Sequence, residues 1–444
     1  MNTPAPAGTD PANTPATSRE LVHPRDALMQ TMQRIYNYRM TTTSGGNLSV
    51  RDANGDIWIT PARVDKGNLR REDMIRVDGD GVAHGPHPPS SEYPFHKAIY
   101  DARPDLGAIV HAHPVALVAF SISKQTPDTN LFAKSRHTCG TPGFADYALP
   151  GSQALGDVIA DTFRAGHDAV VLENHGVVVG GTTLADAFQR FETFEFTAKT
   201  AVKAKQLGDV TPLTEEQIKL RDTPPPAWPT FAPGRASVAE KEARQTIVDF
   251  CERGYRQRLL ISTEGSFSSR LGDDAFVITP SNVDRLTMSV HDPVLIQDGK
   301  AEAGKRPSRA AHVHAAIYAA HPEVNAVINA YSVNATAFSV SQNRLDSRTI
   351  PESYVFLRDV QWISYEDATN DPAAVARHVG PTKPVALIQN DGVVATGKDM
   401  LSAFDCLEVL ESTAEAIINS RPLGEVSPMN DQAILELRQA FFGE

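Results

Sequence analysis

Apolar and polar residues alternate along the chain with two different periods. Apolar positions three or four residues apart are typical of amphipathic helices, and short runs rich in valine, isoleucine and alanine are typical of buried strands. Helices that alternate with such strands indicate a layered α/β domain. In the first half of the chain, the pattern predicts helices over residues 24–39, 93–102, 153–165 and 183–207, and strands over residues 57–60, 108–112, 169–173 and 177–179.

A proline-rich segment divides the chain almost in half. Residues 221–236 read RDTPPPAWPTFAPGRA, and the five prolines in this stretch prevent a helix and favour an extended linker. The sequences on its two sides match each other at a nearly constant spacing. The matched stretches are SGGNLSVR (44–51) with TEGSFSSR (263–270), AIVHAHP (108–114) with AVINAYS (326–332), and ENHGVV (173–178) with QNDGVV (389–394).

The chain is therefore predicted to be an internal duplication. Its two domains span residues 21–220 and 237–444, each of about 200 residues, and residues 221–236 connect them. Residues 1–20 are rich in proline, alanine and threonine, so we expect a disordered tail there.

Composition and charge narrow the classes of partner. Hydrophobic residues make up 41% of the chain and charged residues 22%, as in an ordinary globular protein. The net charge of −12 argues against nucleic acid and anionic membranes as partners. No apolar run is long enough for a membrane span, and the N-terminus lacks the basic start and apolar core of a secretory signal. Three cysteines far apart argue against a disulfide framework, so we expect a reducing, cytoplasmic location.

Two histidines of the first half lie two residues apart in a predicted strand. Because side chains alternate along a strand, His111 and His113 share a face, with Cα atoms about 7 Å apart, and can converge on one ion. His175 follows another strand at a turn marked by glycine, and a third imidazole there completes the three-nitrogen set of a catalytic zinc site. Taken alone, a histidine on an apolar strand is more often a hydrogen-bonded core residue than a metal ligand.

The duplication separates what the fold requires from what the chemistry requires. A position that differs in chemical type between the halves is not dictated by the fold. The second half replaces His111 by Asn329, His113 by Tyr331, His175 by Asp391 and Glu92 by Ala310. We therefore predict a metal site in the first half alone, with Glu92 as a fourth ligand or as a base beside the metal. The alternative for Glu92 is a capping residue at the start of a helix.

Five motifs between residues 44 and 176, namely SGGNLS, ITPxxVD, PSSE, HAHP and ENHG, resemble those of the class II aldolase/adducin family. This family includes fuculose- and rhamnulose-phosphate aldolases and ribulose-phosphate 4-epimerase. The resemblance implies two tandem three-layer α/β/α domains, of which the second lacks the metal ligands. It implies a divalent metal held by His111, His113 and His175, with Glu92 alternating between ligand and general acid/base. Zinc is preferred, and manganese and cobalt stay open because imidazole accepts all three.

The resemblance also implies further groups around the substrate. Tyr147, reaching in from a neighbouring subunit, is expected to handle the hydroxyl proton of the substrate. The candidate residues for an anionic group of the substrate are Gly46, Asn47, Arg63, Ser90 and Ser91. The pair Ala62–Arg63 departs from the small hydroxyl and glycine usual in the family, which leaves the choice between phosphate and carboxylate open. Arg63 can hold either group by paired hydrogen bonds, or it is a surface residue.

The expected activity is that of a metal-dependent lyase. It would cleave a ketose, phosphorylated or free, or a hydroxy-keto acid by a reversible aldol reaction through a metal-stabilised enediolate. The alternatives are decarboxylation of a keto or hydroxyaromatic acid, sugar-phosphate 4-epimerisation and, outside enzymes, an adducin-like binding module.

The resemblance further implies a homo-oligomer, because the family forms four-fold rings with each active site between neighbours. Two chains of this protein would supply four domains. The second half is expected to be a structural partner that adds some wall residues, with Arg309 as a candidate, or a purely structural one.

Overall fold

The computed structural model describes residues 21–444, so the tail predicted over residues 1–20 lies outside the described residues. The helices and strands predicted for the first half are confirmed, and each ends within two residues of its expected position. The helices of this half are α1 (Pro24–Asn37), α2 (Tyr93–Ala102), α3 (Val115–Ile122), α4 (Ala133–Cys139), α5 (Gln153–Arg164), α6 (Leu184–Leu207) and α7 (Glu215–Leu220). Its strands are β1 (Asn47–Arg51), β2 (Ile57–Ile59), β3 (Ile75–Val77), β4 (Ala83–His84), β5 (Ala108–Ala112), β6 (Gly143–Ala145), β7 (Ala169–Leu172) and β8 (Gly176–Gly181).

The second half repeats this succession of elements. Its helices are α8 (Val238–Arg256), α9 (Ala311–Ala320), α10 (Val333–Ser339), α11 (Pro351–Leu357), α12 (Tyr365–Asn370), α13 (Pro372–His378), α14 (Met400–Ser420) and α15 (Asp431–Phe442). Its strands are β9 (Thr230–Phe231), β10 (Ser266–Gly272), β11 (Ala275–Ile278), β12 (Val294–Gln297), β13 (Lys300–Glu302), β14 (Ala326–Ala330), β15 (Gln361–Ile363), β16 (Val385–Ile388) and β17 (Val393–Gly397).

Each half contains one sheet, and the two sheets have the same strand order. The first runs β4-β3-β2-β1-β5-β8-β7-β6, and the second runs β13-β12-β11-β10-β14-β17-β16-β15 with β9 added beyond β13. The pair at one edge is parallel in both sheets, β6 with β7 and β15 with β16. The register repeats as well, because Asn47 lies opposite His111 and Ser266 lies opposite Asn329. The predicted duplication of an α/β domain is confirmed.

Helices cover both faces of each sheet, which gives each half three layers. In the first half, α1 and α6 pack on one face and α2 and α5 on the other, and β5 contributes Val110 to the first core and Ile109 to the second. In the second half, α8 and α14 cover one face while α9 and α13 cover the other. His111 follows Ile109 by two residues, so it lies on the face covered by α2.

Helix α6 joins the cores of the two halves. Phe194 packs in the core of the first half, and Ala201, two turns later, packs in the core of the second. Residues 191–198 of α6 are buried on every side of the helix, although Glu192 and Glu195 are among them. The two halves therefore share a continuous interior.

A buried carboxylate on α6 holds the junction between the halves. Glu192 is 2% exposed and accepts hydrogen bonds from the hydroxyl of Tyr255 at 2.6 Å and from the backbone N–H of Ser262 at 2.8 Å, both in the second half. Arg34 of α1 approaches Glu192 to 3.7 Å and forms an ion pair with Asp284 of the second half at 2.7 Å. A buried charge is tolerated where hydrogen bonds and opposite charges surround it.

The proline-rich segment is extended, as predicted, and it packs against the second half. Its strand β9 pairs in parallel with β13. His312 donates a ring N–H to the carbonyl oxygen of Pro226 at 2.8 Å, and Trp228 stacks on the same imidazole with ring centroids 4.3 Å apart. The domain boundaries at residues 220 and 237 stay a prediction.

The structure bears on the expectations for membrane-spanning helices and for the cysteines. Within residues 21–444, none of the helices combines the length and the apolar character that a membrane span requires. The three cysteines are unpaired and buried.

Replacing Glu192 by alanine should lower the free energy of unfolding by about 3–5 kcal/mol, because it leaves the Tyr255 hydroxyl and the Ser262 N–H buried without their acceptor and removes one of the two carboxylates near Arg34. Urea denaturation monitored by circular dichroism measures this change. The matched control is Glu415→Ala, which removes an exposed carboxylate from the long helix α14 and should change stability by less than about 0.5 kcal/mol. Equal effects of the two substitutions would contradict the role assigned to Glu192.

Candidate metal centre

The pairing of three strands places His111 at the centre of the site. Strand β5 lies between β1 and β8, with His111 opposite Asn47 on one side and opposite Val178 on the other. The His111 ring donates its Nδ1–H to the backbone carbonyl of Val177 at 2.9 Å. Because a carbonyl can only accept, Nε2 of the neutral ring keeps a free lone pair, and this lone pair is directed towards the other histidines.

The three predicted histidines converge on one point. The ligand atoms of His111, His113 and His175 all lie within 4.8 Å of one another. The Nε2 atoms of His111 and His113 are 3.1 Å apart. The Glu92 carboxylate faces the same point, with one oxygen 3.2 Å from Nε2 of His111 and the other 3.3 Å from Nε2 of His175.

This donor set fits a divalent cation. Two nitrogens bound to a tetrahedral ion at the usual zinc–nitrogen distance are about 3.3 Å apart, close to the 3.1 Å between His111 and His113. Two imidazole lone pairs at that distance repel each other unless a proton or a cation lies between them. Burial, together with the neighbouring His111 and His175, lowers the pKa of His113 to about 3, so its ring is in the neutral form that binds metal.

Two glycines make room for His113. A Cβ atom on Gly176 would lie 2.5 Å from Cδ2 of His113, and one on Gly45 would lie 2.8 Å from its Nδ1. Both distances are too short for real contacts, so any larger residue at either place would displace the ring. The glycines of the GGN and NHG motifs therefore shape the site.

Glu92 lies at the start of α2 and is available for chemistry. Its side chain makes no capping hydrogen bond to that helix, so the alternative role as a cap is not what the structure shows. Instead it accepts a hydrogen bond from Nδ2 of Asn47 at 2.7 Å. Burial alone would raise the pKa of Glu92, but the contacts with His111 and His175 outweigh it and hold the pKa well below its usual range.

A buried hydrogen-bond chain fixes Asn47 and, through it, Glu92. His96 donates from Nε2 to Oδ1 of Asn47, and its Nδ1 lies 2.7 Å from the hydroxyl of Ser49. Ser49 in turn lies 2.8 Å from the hydroxyl of Tyr100. The imidazole thus accepts at one nitrogen and donates at the other, which requires the neutral ring, and burial lowers its pKa to about 3.

The second half repeats this chain with one change of partner. Ser268 lies 2.7 Å from Nδ1 of His314 and 2.7 Å from the hydroxyl of Tyr318. Nε2 of His314 donates at 2.6 Å to Oδ1 of Asn329, the residue that takes the place of His111. The Ser–His–Tyr part is thus common to both halves, whereas the three converging histidines are not.

The residues predicted to bind an anion lie on three segments, at residues 46–47, at residue 63 and at residues 90–91. The backbone N–H of Ala62 bonds to the carbonyl of Pro88, and the N–H of Ser90 bonds to the carbonyl of Thr60. Gly46 and Arg63 both have left-handed backbones, with φ of 73° and 58°. Ser90 is buried next to Glu92, while Arg63 and Ser91 are exposed. The binding of an anion by these residues stays a prediction.

The side chain of Tyr147 is more exposed to solvent than the three histidines are. It follows β6, and its side chain is 58% exposed. Within residues 21–444, its hydroxyl forms no hydrogen bond, while its backbone N–H bonds to Glu173 at 3.0 Å. Its catalytic role stays a prediction.

Sequence reasoning missed Lys66, which lies close to the site. Its side chain is buried and donates to the carbonyl of Pro61 at 2.6 Å. Burial lowers the pKa of Lys66 to about 8, against an opposing effect of Glu92. The internal repeat could have revealed Lys66, because the matched residue of the second half is another cation, Arg285. Arg285 is buried as well and donates to backbone carbonyls of the loops around it.

Known proteins resemble the chain in both halves. The model of the family described as Class II Aldolase and Adducin N-terminal domain matches residues 26–202 and 245–418. An L-fuculose phosphate aldolase of Methanocaldococcus jannaschii is 35% identical over 174 residues, which are 38% of this chain and 89% of the relative. A 3-oxo-tetronate 4-phosphate decarboxylase of Haemophilus influenzae is 32% identical over 179 residues, 39% of this chain and 85% of the relative.

A solved structure, the L-fuculose-1-phosphate aldolase of Thermus thermophilus, has 25% identity and a TM-score of 0.36, and the match covers 43% of this chain and 98% of that one. These three relatives therefore have about the length of one half of this chain.

Protonation of the buried network should make stability depend on pH. Burial lowers the pKa of His314 from 6.5 to about 4. Between these values the unfolded chain takes up a proton that the folded chain does not, so stability falls as the pH falls, by about 3 kcal/mol for this residue. Urea denaturation at a series of pH values measures the slope.

In the variant His314→Gln this part of the slope should disappear, and in the control His291→Gln, which changes an exposed histidine, it should stay. A His314→Gln profile as steep as that of the unmodified chain would contradict the assignment.

Proposed function

Because the chain belongs to the family of class II aldolases and adducin N-terminal domains, we propose that it is a divalent-metal-dependent lyase that cleaves a carbon–carbon bond by a retro-aldol reaction. The observation that carries the proposal is the convergence of His111, His113 and His175 with Glu92 beside them. The relatives named as aldolases support the reaction class.

We propose His111, His113 and His175 as the metal ligands, with zinc as the preferred ion. A cation held there supplies Lewis-acid stabilisation of the negative charge that develops on the substrate oxygens. The neutral ring of His113 suits this role. The backbone carbonyl of Val177 holds His111 in the required tautomer, as a hydrogen bond to the second ring nitrogen does for most metal-bound histidines.

Glu92 is the proposed general acid and base. In the cleavage direction, Tyr147 is the proposed base that takes the hydroxyl proton beyond the breaking bond, and the carbon–carbon electron pair stays on the carbon next to the carbonyl. Glu92, which is ionised beforehand, takes up a proton from water and delivers it to that carbon, while Tyr147 returns the hydroxyl proton to water. Asn47 holds one carboxylate oxygen and leaves the other near His175. The chain of hydrogen bonds from Tyr100 to Asn47 fixes this orientation, which is the main contribution that the protein makes to proton transfer.

The substrate is proposed to be a ketose phosphate or a hydroxy-keto acid. Gly46, Asn47, Ser90 and Ser91 are the proposed contacts of its anionic group, and Arg63 is the proposed cation. The aldolase relatives are named for fuculose phosphate and for 5-methylthioribulose-1-phosphate, which favours the phosphate.

A second candidate reaction is decarboxylation. It is favoured by the 32% identical relative named as a 3-oxo-tetronate 4-phosphate decarboxylase. Loss of carboxylate from a β-keto acid also leaves an electron pair next to a carbonyl, so the same ligands and the same carboxylate serve both reactions. Sugar-phosphate 4-epimerisation and an adducin-like binding module are further alternatives.

We propose a homo-oligomer in which Tyr147 reaches the site of a neighbouring subunit. The 58% exposure of its side chain supports this, because an exposed aromatic ring is available to a partner surface. The reaction is proposed to occur in the cytoplasm, which the unpaired state of all three cysteines supports.

Metal content tests the centre directly. Elemental analysis of gently purified protein should find about one divalent metal per chain, and His111→Asn should lose it, while the exposed control His291→Asn should keep it. Absence of metal even after supplementation would overturn the lyase and favour the binding module.

Glu92→Gln tests the proton transfer. Turnover of fuculose 1-phosphate or of 3-oxo-tetronate 4-phosphate should fall by about 10²–10⁴-fold, because glutamine cannot move a proton. Metal content should remain, since three histidines are left. The exposed residue Glu72 gives the control variant Glu72→Gln, which should retain full activity. Full turnover in Glu92→Gln would remove Glu92 from the mechanism.

A further inference from the structure

The second half contains a cavity of about 510 Å³ at the place where the first half has its histidines. Asn329 and Tyr331, which lie on β14 and just beyond it, line this cavity together with Asp391. The volume is within the range of pockets that hold small molecules. Loss of the metal ligands has therefore not closed the second site.

The residues that replace the histidines form hydrogen bonds with the protein. The hydroxyl of Tyr331 donates to Oδ1 of Asp391 at 2.8 Å, and Oδ1 of Asn329 accepts from His314. Asn329, Tyr331 and Asp391 together offer one carboxylate and no imidazole, so they do not resemble a site for a transition metal. Any ligand here is bound without the ion of the first half.

Positive charge exceeds negative charge around the cavity. Four cations line it, Lys134, Arg221, Arg285 and Arg309, against the two carboxylates of Glu264 and Asp391. Lys134 is paired with Glu264 at 2.7 Å. Arg285 is occupied by the backbone carbonyls of Gly265, Val283 and Pro280. Arg221 and Arg309 are two cations of the cavity that have hydrogen-bond donors left over among the described residues.

Arg221 has a guanidinium group whose hydrogen-bond donors are unused within the described residues. Among the residues that the structure describes, its guanidinium forms no hydrogen bond and has no carboxylate within the 4.0 Å of an ion pair, although it lines the cavity. Arg309 donates from Nη2 to the carbonyl of Thr223 at 2.7 Å and keeps its other donors. Burial and the charge of Arg221 lower the pKa of Arg309, and the carboxylate of Asp391 opposes this effect.

We infer that this cavity is a second, metal-free binding site for a small hydroxylated organic anion, with its phosphate or carboxylate held between Arg221 and Arg309. An anion between the two guanidinium groups relieves their repulsion and can accept bidentate hydrogen bonds from each. Ser281, Asn282 and Thr369 line the same cavity and supply partners for hydroxyl groups.

The site is built from both halves of the chain. Lys134 belongs to α4 of the first half, and Arg221 directly follows α7, whereas Arg309 precedes α9. An occupant would therefore contact both halves and stabilise their junction by its binding free energy. The inference does not rest on the proposed reaction, because it involves neither the histidines nor Glu92.

The test is calorimetric titration of the full-length chain with inorganic phosphate and, separately, with glycerate. In Arg221→Gln, binding of one anion should weaken on the order of tenfold or more, as expected for the loss of charge-assisted hydrogen bonds. Arg235→Gln is the matched control, because Arg235 is an exposed arginine of the same linker that does not line the cavity. Arg309→Gln gives a second, independent variant.

Each result decides the inference. Weakened binding of phosphate, of glycerate or of both supports the site and identifies the anionic group. Binding of neither anion, or binding equally tight in Arg221→Gln, Arg309→Gln and the control, overturns it. Metal content should be unchanged in Arg221→Gln, because the three histidines belong to the first half and Arg221 lines the cavity of the second. Metal content and turnover are measured separately, so a negative result for the anion site would leave the proposed lyase reaction untouched.

Discussion

The site depends on the register of three antiparallel strands. Strand β5 places His111 between Asn47 of β1 and Val178 of β8. This alignment brings His111 close to Asn47, which orients Glu92, and to the carbonyl of Val177, which orients the His111 ring. A shift of one residue in this pairing would move His111 to the opposite face of the sheet, away from Glu92. Apolar residues on both faces of β5 hold the register, since Val110 and Ile109 are fully buried on opposite sides. The chemistry is thus positioned by ordinary core packing.

The sequence predicted most of this arrangement because its strongest signals are periodic or repeated. Helices α1, α2, α5 and α6 and strand β5 follow plain apolar patterns, and the paired histidines needed only the alternation of a strand. Strand β1 was not predicted because Asn47 and Ser49, two of its buried residues, are polar and interrupt the apolar pattern. They are buried because they hydrogen-bond with Glu92, His96 and Tyr100. Lys66 was missed for the same reason, since a buried cation breaks the hydrophobic pattern and its carbonyl partner is visible only in three dimensions.

The two halves show which contacts the scaffold needs. Both keep the Ser–His–Tyr network, and in both an arginine stacks over the tyrosine ring, Arg51 over Tyr100 and Arg270 over Tyr318. Two positions at the end of the central strand and one in the turn before the next strand carry imidazole in the first half and amide, phenol and carboxylate in the second, while the strand order is the same. Function in this fold is therefore carried by a few side chains that can be exchanged while the network behind them stays in place.

The short strand of the linker has a consequence for the behaviour of the protein in concentrated solution. β9 is the outermost strand of the second sheet, and Pro229 and Pro233 flank its two residues. Without the linker, β13 would present an open row of backbone donors and acceptors, which is a template for strands of other molecules. Proline has no N–H to offer, so the added edge is a poor template in its turn. The segment that connects the halves thereby also protects the sheet from edge-to-edge aggregation.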